Sequence, residues 1–96
     1  MTKLKNRVIS IYNRKTSMRL AEEEWTAFDD ICHREGLKRK RLLELLDDSK
    51  SSDFGLTCYV RLFTVAYMHH LLKPTAFRNR INAENRDVYQ TLNMIS

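Results

Sequence analysis

Two glycines and one proline in 96 residues are too few breakers for a loop-rich or disordered chain, and they leave long helices as the expected form. The two cysteines, Cys32 and Cys58, have no CxxC spacing and fall within apolar helical patterns. That excludes a disulfide framework, and with no secretory n-region or h-region at the N-terminus it predicts buried, reduced thiols in a cytoplasmic protein. The longest nearly apolar stretch, 62–72, is too short to span a bilayer and is interrupted by His69 and His70, so no membrane partner is expected. Catalytic signatures are missing as well: there is no P-loop, no GxGxxG and no Ser–His–Asp pattern. His69 and His70 are adjacent and would point about 100° apart on a helix. Asp29 and His33 have i,i+4 spacing but lack further ligands, so neither a metal nor a cofactor nor an enzyme is expected.

Acid is also lacking, locally. Residues 1–20 hold six cations (Lys3, Lys5, Arg7, Arg14, Lys15, Arg19) and no carboxylate, whereas residues 21–36 hold six acids against Arg34 alone. Lys38, Arg39, Lys40 and Arg41 then follow as a run within a formal net charge of +5. Faces of opposite sign follow from this segregation, and the positive one suits a polyanion.

What is present falls into a simple order. Residues 14–20 (RKTSMRL) read as a strand, with Thr16, Met18 and Leu20 on one face and Lys15, Ser17 and Arg19 on the other. A lone strand of this length leaves an edge unpaired and an apolar face wet. It needs a partner strand, which is either a copy of itself or the N-terminal arm, whose residues 8–12 are β-prone with a turn at Asn13 and Arg14; the arm is thus a second hairpin strand or a flexible basic tail. Trp25, Phe28, Ile31 and Cys32 recur at helical spacing, with Glu22, Glu23 and Glu24 in the first turn, and predict a first helix over 21–35 ended by Gly36. A second helix starts near Lys38 and carries Leu42, Leu43, Leu45 and Leu46. Its four leading cations oppose the positive end of the helix dipole, unless a phosphate docks there. After the polar connector 49–55, a nearly apolar third helix is expected over 56–72, buried on several sides, with Arg61 paired or snorkelling at an edge. Residues 1–72 thus form one domain, and 73–96, beginning around Pro74, form an extension. There Phe77, Ile81, Val88, Leu92 and Ile95 permit an amphipathic helix.

The stretch KTSMRLAEEEWTAFDDICHREGLKRKRLLELL, followed by GLTCYVRLFTVAYM, resembles the bacterial ribbon-helix-helix family that carries a third helix. The resemblance spans about residues 7–67 and rests on Thr16, Ser17, Leu20, Trp25, Gly36 and residues 58–63. It implies a mainly α fold with a short N-terminal β-ribbon, assembled as a homodimer. The dimer core would include Met18, Leu20, Trp25, Phe28, Leu42, Leu46 and Phe63. It implies further that an intersubunit antiparallel ribbon lies in the DNA major groove, with Lys15, Ser17 and Arg19 reading bases. Phosphate contacts fall to Arg14, Lys38, Arg39, Lys40 and Arg41. The family's usual small hydroxyl and apolar residues at the start of the second helix are replaced here by KRKR, which leaves Arg39 where an apolar side chain is usual.

The function expected from these residues is that of a bacterial or phage transcriptional regulator, a repressor. It would occupy an operator of palindromic or tandem half-sites as a dimer or a higher oligomer on DNA. A protein-interaction module stays open beside it: an antitoxin whose residues 75–96 hold a partner protein, or a ribbon dimer that serves only as a scaffold.

Overall fold

The computed structural model describes residues 3–72 and 86–95. In chain order these form β1 (Leu4–Ile11), β2 (Arg14–Ala21), α1 (Glu22–Glu35), α2 (Arg39–Ser49), α3 (Leu56–Leu71) and α4 (Arg86–Ile95). Phe77 and Ile81, two of the five apolar positions assigned to the extension, lie outside the described residues.

β1 and β2 pair antiparallel into a two-stranded sheet, in register from Leu4 opposite Ala21 to Ile11 opposite Arg14. The turn between them consists of Tyr12 and Asn13, both at positive φ (48° and 64°), the pattern of a two-residue type I′ hairpin. The sequence places this turn one residue later, because Asn13 marks the left-handed position but gives no sign that a tyrosine shares it. Left-handed backbone at a residue with a Cβ costs about 1–2 kcal/mol. Two hydrogen bonds onto α2 offset it here: the Tyr12 backbone N–H donates to Glu44 Oε2 (3.1 Å), and its phenol donates to Asp48 Oδ2 (2.6 Å).

β2 therefore has a partner strand from its own chain, where the family resemblance has it pair with a copy. The inner face of the hairpin carries Ile9, Ile11, Met18 and Leu20, all buried, so β1 extends the apolar layer and has its own reason to stay.

α1 begins directly after β2. The Ala21 N–H donates to Glu24 Oε1 (2.7 Å), the reciprocal half of a capping box. It ends at Gly36, in the left-handed conformation with φ 67°. The Gly36 N–H donates to the His33 carbonyl and the Leu37 N–H to that of Cys32, the two bonds of a Schellman motif.

The core lies between the sheet and the helices and holds Trp25, Phe28, Ile31, Leu42, Leu43, Leu46, Tyr59, Val60, Phe63 and Tyr67, with Val88 and Leu92 from α4. Met18, Leu20, Trp25, Phe28, Leu42, Leu46 and Phe63 are each no more than 2% exposed within a single chain. No second chain is needed to bury them.

α3 is less enclosed than its composition suggests. Tyr59, Val60, Phe63 and Tyr67 face inward, while Leu62 and Val65 remain exposed. Cys58 is likewise exposed rather than buried, because it falls outside the inward stripe. Cys32 is buried, and burial, with the nearby Asp29 carboxylate, pushes its thiol up to about 11. Arg61 closes an edge of α3 by pairing with Glu24 (3.0 Å).

α4 docks on α3 through Val88, Leu92 and a polar cluster. Asp87 Oδ1 lies 2.8 Å from His70 Nε2, and Asp87 Oδ2 accepts from the Arg34 guanidinium at 2.9 Å. Arg34 also donates to the Tyr67 hydroxyl (2.6 Å), which in turn donates to Glu35 Oε2 (2.5 Å). Burial and the Glu35 carboxylate push the Tyr67 phenol well up.

Candidate nucleic-acid interface

In an antiparallel pair, residues directly opposite one another project to the same face. The register therefore divides the hairpin cleanly. Lys5, Arg7, Ile9 and Ile11 share the inner face with Arg14, Thr16, Met18 and Leu20; Leu4, Asn6, Val8 and Ser10 share the outer face with Lys15, Ser17, Arg19 and Ala21. Lys15, Ser17 and Arg19 are all exposed. Among the described residues, neither Lys15 nor Arg19 makes an ion pair.

The five cations assigned to phosphate fall into three placements. Lys38, Lys40 and Arg41 are exposed at or just before the first turn of α2. Lys38 is the N-cap residue, no side chain caps this end, and the first turn holds no acid. Arg39 is half-buried and engaged: its Nη2 donates to both carboxylate oxygens of Asp29 (2.8 Å each) and its Nε donates to Oδ1 (3.0 Å). Arg14 sits near the hairpin tip, 3.6 Å from Asp47 and mostly exposed.

Around Arg39 the structure assembles a group of residues that the motif does not contain. Arg39 and Arg7 both lie over the Trp25 ring, at 5.5 and 4.9 Å from its centroid. Arg7 also approaches Asp29 at 3.9 Å. The indole N–H of Trp25 donates to the Lys5 carbonyl (2.9 Å), so one aromatic ring ties β1 to the start of α2. Two arginines share one carboxylate there, which leaves a net positive charge beside the α2 N-terminus.

From the middle and the last turn of α2, Glu44 and Asp48 hold the hairpin turn. Glu44 is only 9% exposed, an acid among leucines whose task is to receive a backbone N–H. Alternation along β1 would have flagged Arg7 as an inner-face cation, since it precedes Ile9 and Ile11 by twos. No local signal identifies Asp29 as the group that takes up Arg39.

A family model described as a ribbon-helix-helix domain matches residues 4–68, the hairpin and the three helices that follow it. The chain belongs to the ribbon-helix-helix domain family. Proteins of this family are generally DNA-binding transcription regulators or antitoxins, they form dimers, and the fold is a non-enzymatic one. No curated protein and no solved structure matches the chain. Among the described residues of this ribbon-helix-helix chain, no helix is long and apolar enough to cross a membrane, and no cluster of His, Cys, Asp or Glu could hold a metal ion.

Proposed function

We propose that this chain is a sequence-specific double-stranded DNA-binding regulator, a repressor, that enters the major groove with the outer face of its ribbon. The observation that carries this reading is that face itself: Lys15, Ser17 and Arg19 project together, exposed, from a strand whose other side seats Met18 and Leu20 in the core. Arginine and lysine donate to guanine O6 and N7, and serine reaches either kind of edge. Lys38, Lys40 and Arg41, beside an uncapped helix N-terminus, supply the contacts to phosphate. A dimer would place two such faces on an operator of palindromic or tandem half-sites.

The docking of α4 supports assigning residues 86–95 to the domain's own packing. Its apolar stripe and its acid at Asp87 already meet α3 and α1, which leaves less of that segment to hold a partner protein in the manner of an antitoxin tail.

Selection of bound duplexes from a random pool at near-physiological salt tests the reading. The native chain is expected to enrich a defined motif. Arg19→Ala should relax one base position at a cost of about 1–3 kcal/mol. If the native chain enriches nothing while remaining folded, the ribbon does not read DNA.

A further inference from the structure

We infer that the outward stripe of α3 is a contact between two copies of this chain, with Leu62 and Val65 of one copy packed against α3 of the other, beside the unpaired edge of β2. Proteins of this family form dimers; the inference concerns where this chain finds the apolar surface for it. Three observations lead here.

The first is supply. A stable interface buries about 1,200–2,000 Å² around an apolar centre. Met18, Leu20, Phe28 and Phe63, expected in a dimer core, are already buried within one chain. α3 holds apolar surface that is not yet used: Leu62 is 38% exposed, Val65 69% and Leu72 86%.

The second is pattern. Cys58, Leu62, Val65, His69 and Leu72 follow one another at intervals of four, three, four and three, the repeat of a helix–helix seam. All five are exposed. The seam contains no Asp, Glu, Lys or Arg, whereas α1 exposes Glu22, Glu23 and Asp30, and α2 exposes Lys40, Arg41 and Asp48. A two-fold contact sets a surface against itself, so a face of one sign repels its copy. The neutral seam of α3 meets its copy without that penalty. On α4, Tyr89 and Met94 are also exposed, but five residues separate them by about 140° around the helix, and they form no seam.

The third is position. Ile11 and Arg14 close the two-residue turn as a hydrogen-bonded pair, and such pairs recur at every second position along the ladder. The backbone N–H and C=O groups of Lys15, Ser17, Arg19 and Ala21 therefore point away from β1. Among the described residues no strand lies on that side, and an unpaired edge is a template for another chain. α3 runs beside this edge. Leu56, at its start, lines a groove with Arg14, Lys15 and Thr16. Five residues on, Arg61 donates to the Arg19 carbonyl (3.4 Å) and pairs with Glu24 (3.0 Å), which itself accepts from the Ala21 N–H. Val65 follows Arg61 by one turn, so a copy that comes up to the edge of β2 meets the seam of α3 as well.

Sedimentation equilibrium of the full chain without DNA tests the inference. The native chain is expected to dimerise, and Val65→Glu should weaken the dimer at least about thirtyfold, because two-fold symmetry places the charge in the contact twice. Tyr89→Glu, the same kind of change on α4, should leave the dimer as it was. Val65 lies outside the core, so Val65→Glu should keep its helical circular dichroism. Alkylation of Cys58 in the native chain needs no variant and decides alone if Val65→Glu loses its helices. Its rate should fall as chain concentration rises through the dimerisation range, while the buried Cys32 stays unreactive. A native chain that remains monomeric, a Val65→Glu dimer as tight as the native one, or Cys58 alkylation independent of concentration would overturn the inference. None of these bears on the proposed function, which fails separately if the native chain enriches no DNA motif.

Discussion

The charges around α4 and the charges on the ribbon have little in common. Around α4, Asp87, His70, Tyr67 and Glu35 are largely buried, and with the more exposed Arg34 they are engaged with one another at 2.5–2.9 Å. On the outer face of the ribbon, Lys15 and Arg19 have no acid among the described residues to meet. Charges consumed in pairs inside a fold contribute to its integrity, and breaking one side of such a pair is costly. Charges held in a row on a flat exposed face do nothing for the fold, so their service is to something outside it.

This contrast can be broken most directly at Asp87. Asp87→Ala should cost about 1–3 kcal/mol, because it leaves the buried His70 without its partner, while Arg34 keeps water, Glu35 and Tyr67. The loss should appear as a lower denaturation midpoint, with DNA binding at low temperature unchanged. Acid should have a related effect. Burial raises the Asp87 carboxyl, but the hydrogen bonds and charges of Arg34 and His70 outweigh it and hold the group below its ordinary 3.8. The stabilisation is therefore present above that value and is lost as pH falls through the lower, folded one. Hydrogen exchange should show the α4 amides protected at neutral pH and opening first in strong acid; opening near pH 6 would refute this.

Glu44→Ala comes next, at about 1–2 kcal/mol, since it leaves the Tyr12 N–H unsatisfied at a left-handed position. Exchange should quicken at the hairpin turn before it does in α1. Asp29→Asn tests the intermediate case, an arginine that is paired but half-exposed. It should cost about 1 kcal/mol, discounted for solvent screening, and a larger loss would put Arg39 with the α4 cluster.

The smallest effect on stability, within about 0.5 kcal/mol, is expected for Lys40→Ala. Its effect on DNA should be equal on selected and random duplexes, with the salt slope reduced by about 1. A preference for one class of duplex would make Lys40 a base reader.

Much of this was legible in the residues. The two faces of β2, the helix ended by Gly36 and the apolar third helix follow from alternation, helical spacing and a single left-handed glycine. The in-chain partner of β2 was open to reading, as residues 8–12 are β-prone, but choosing between it and a second copy needs the sum of Ile9, Ile11 and Trp25 packing, which no local pattern carries. Arg39 illustrates the remaining difficulty. Its cationic neighbours place it in a phosphate-binding run, and only the crossing of α1 and α2 shows that Asp29 lies ten residues back and within reach. The polar cluster under α4 was hidden for the same reason, because Arg34 and Asp87 are 53 residues apart.

α2 is tied to the hairpin in two places: midway along β1, where Arg39 and Arg7 both meet Trp25 of α1, and directly at the tip through Glu44 and Asp48 on Tyr12. Mechanically the helix is a splint, and the ribbon can neither swing away from it nor slide along it without breaking one of the two fastenings. The distance between the ribbon's outer face and the cations at the start of α2 is thereby a fixed gauge. Under the proposed function, a duplex presented to such a gauge would do the yielding, so steps that kink or widen easily would be favoured even where no side chain reaches a base.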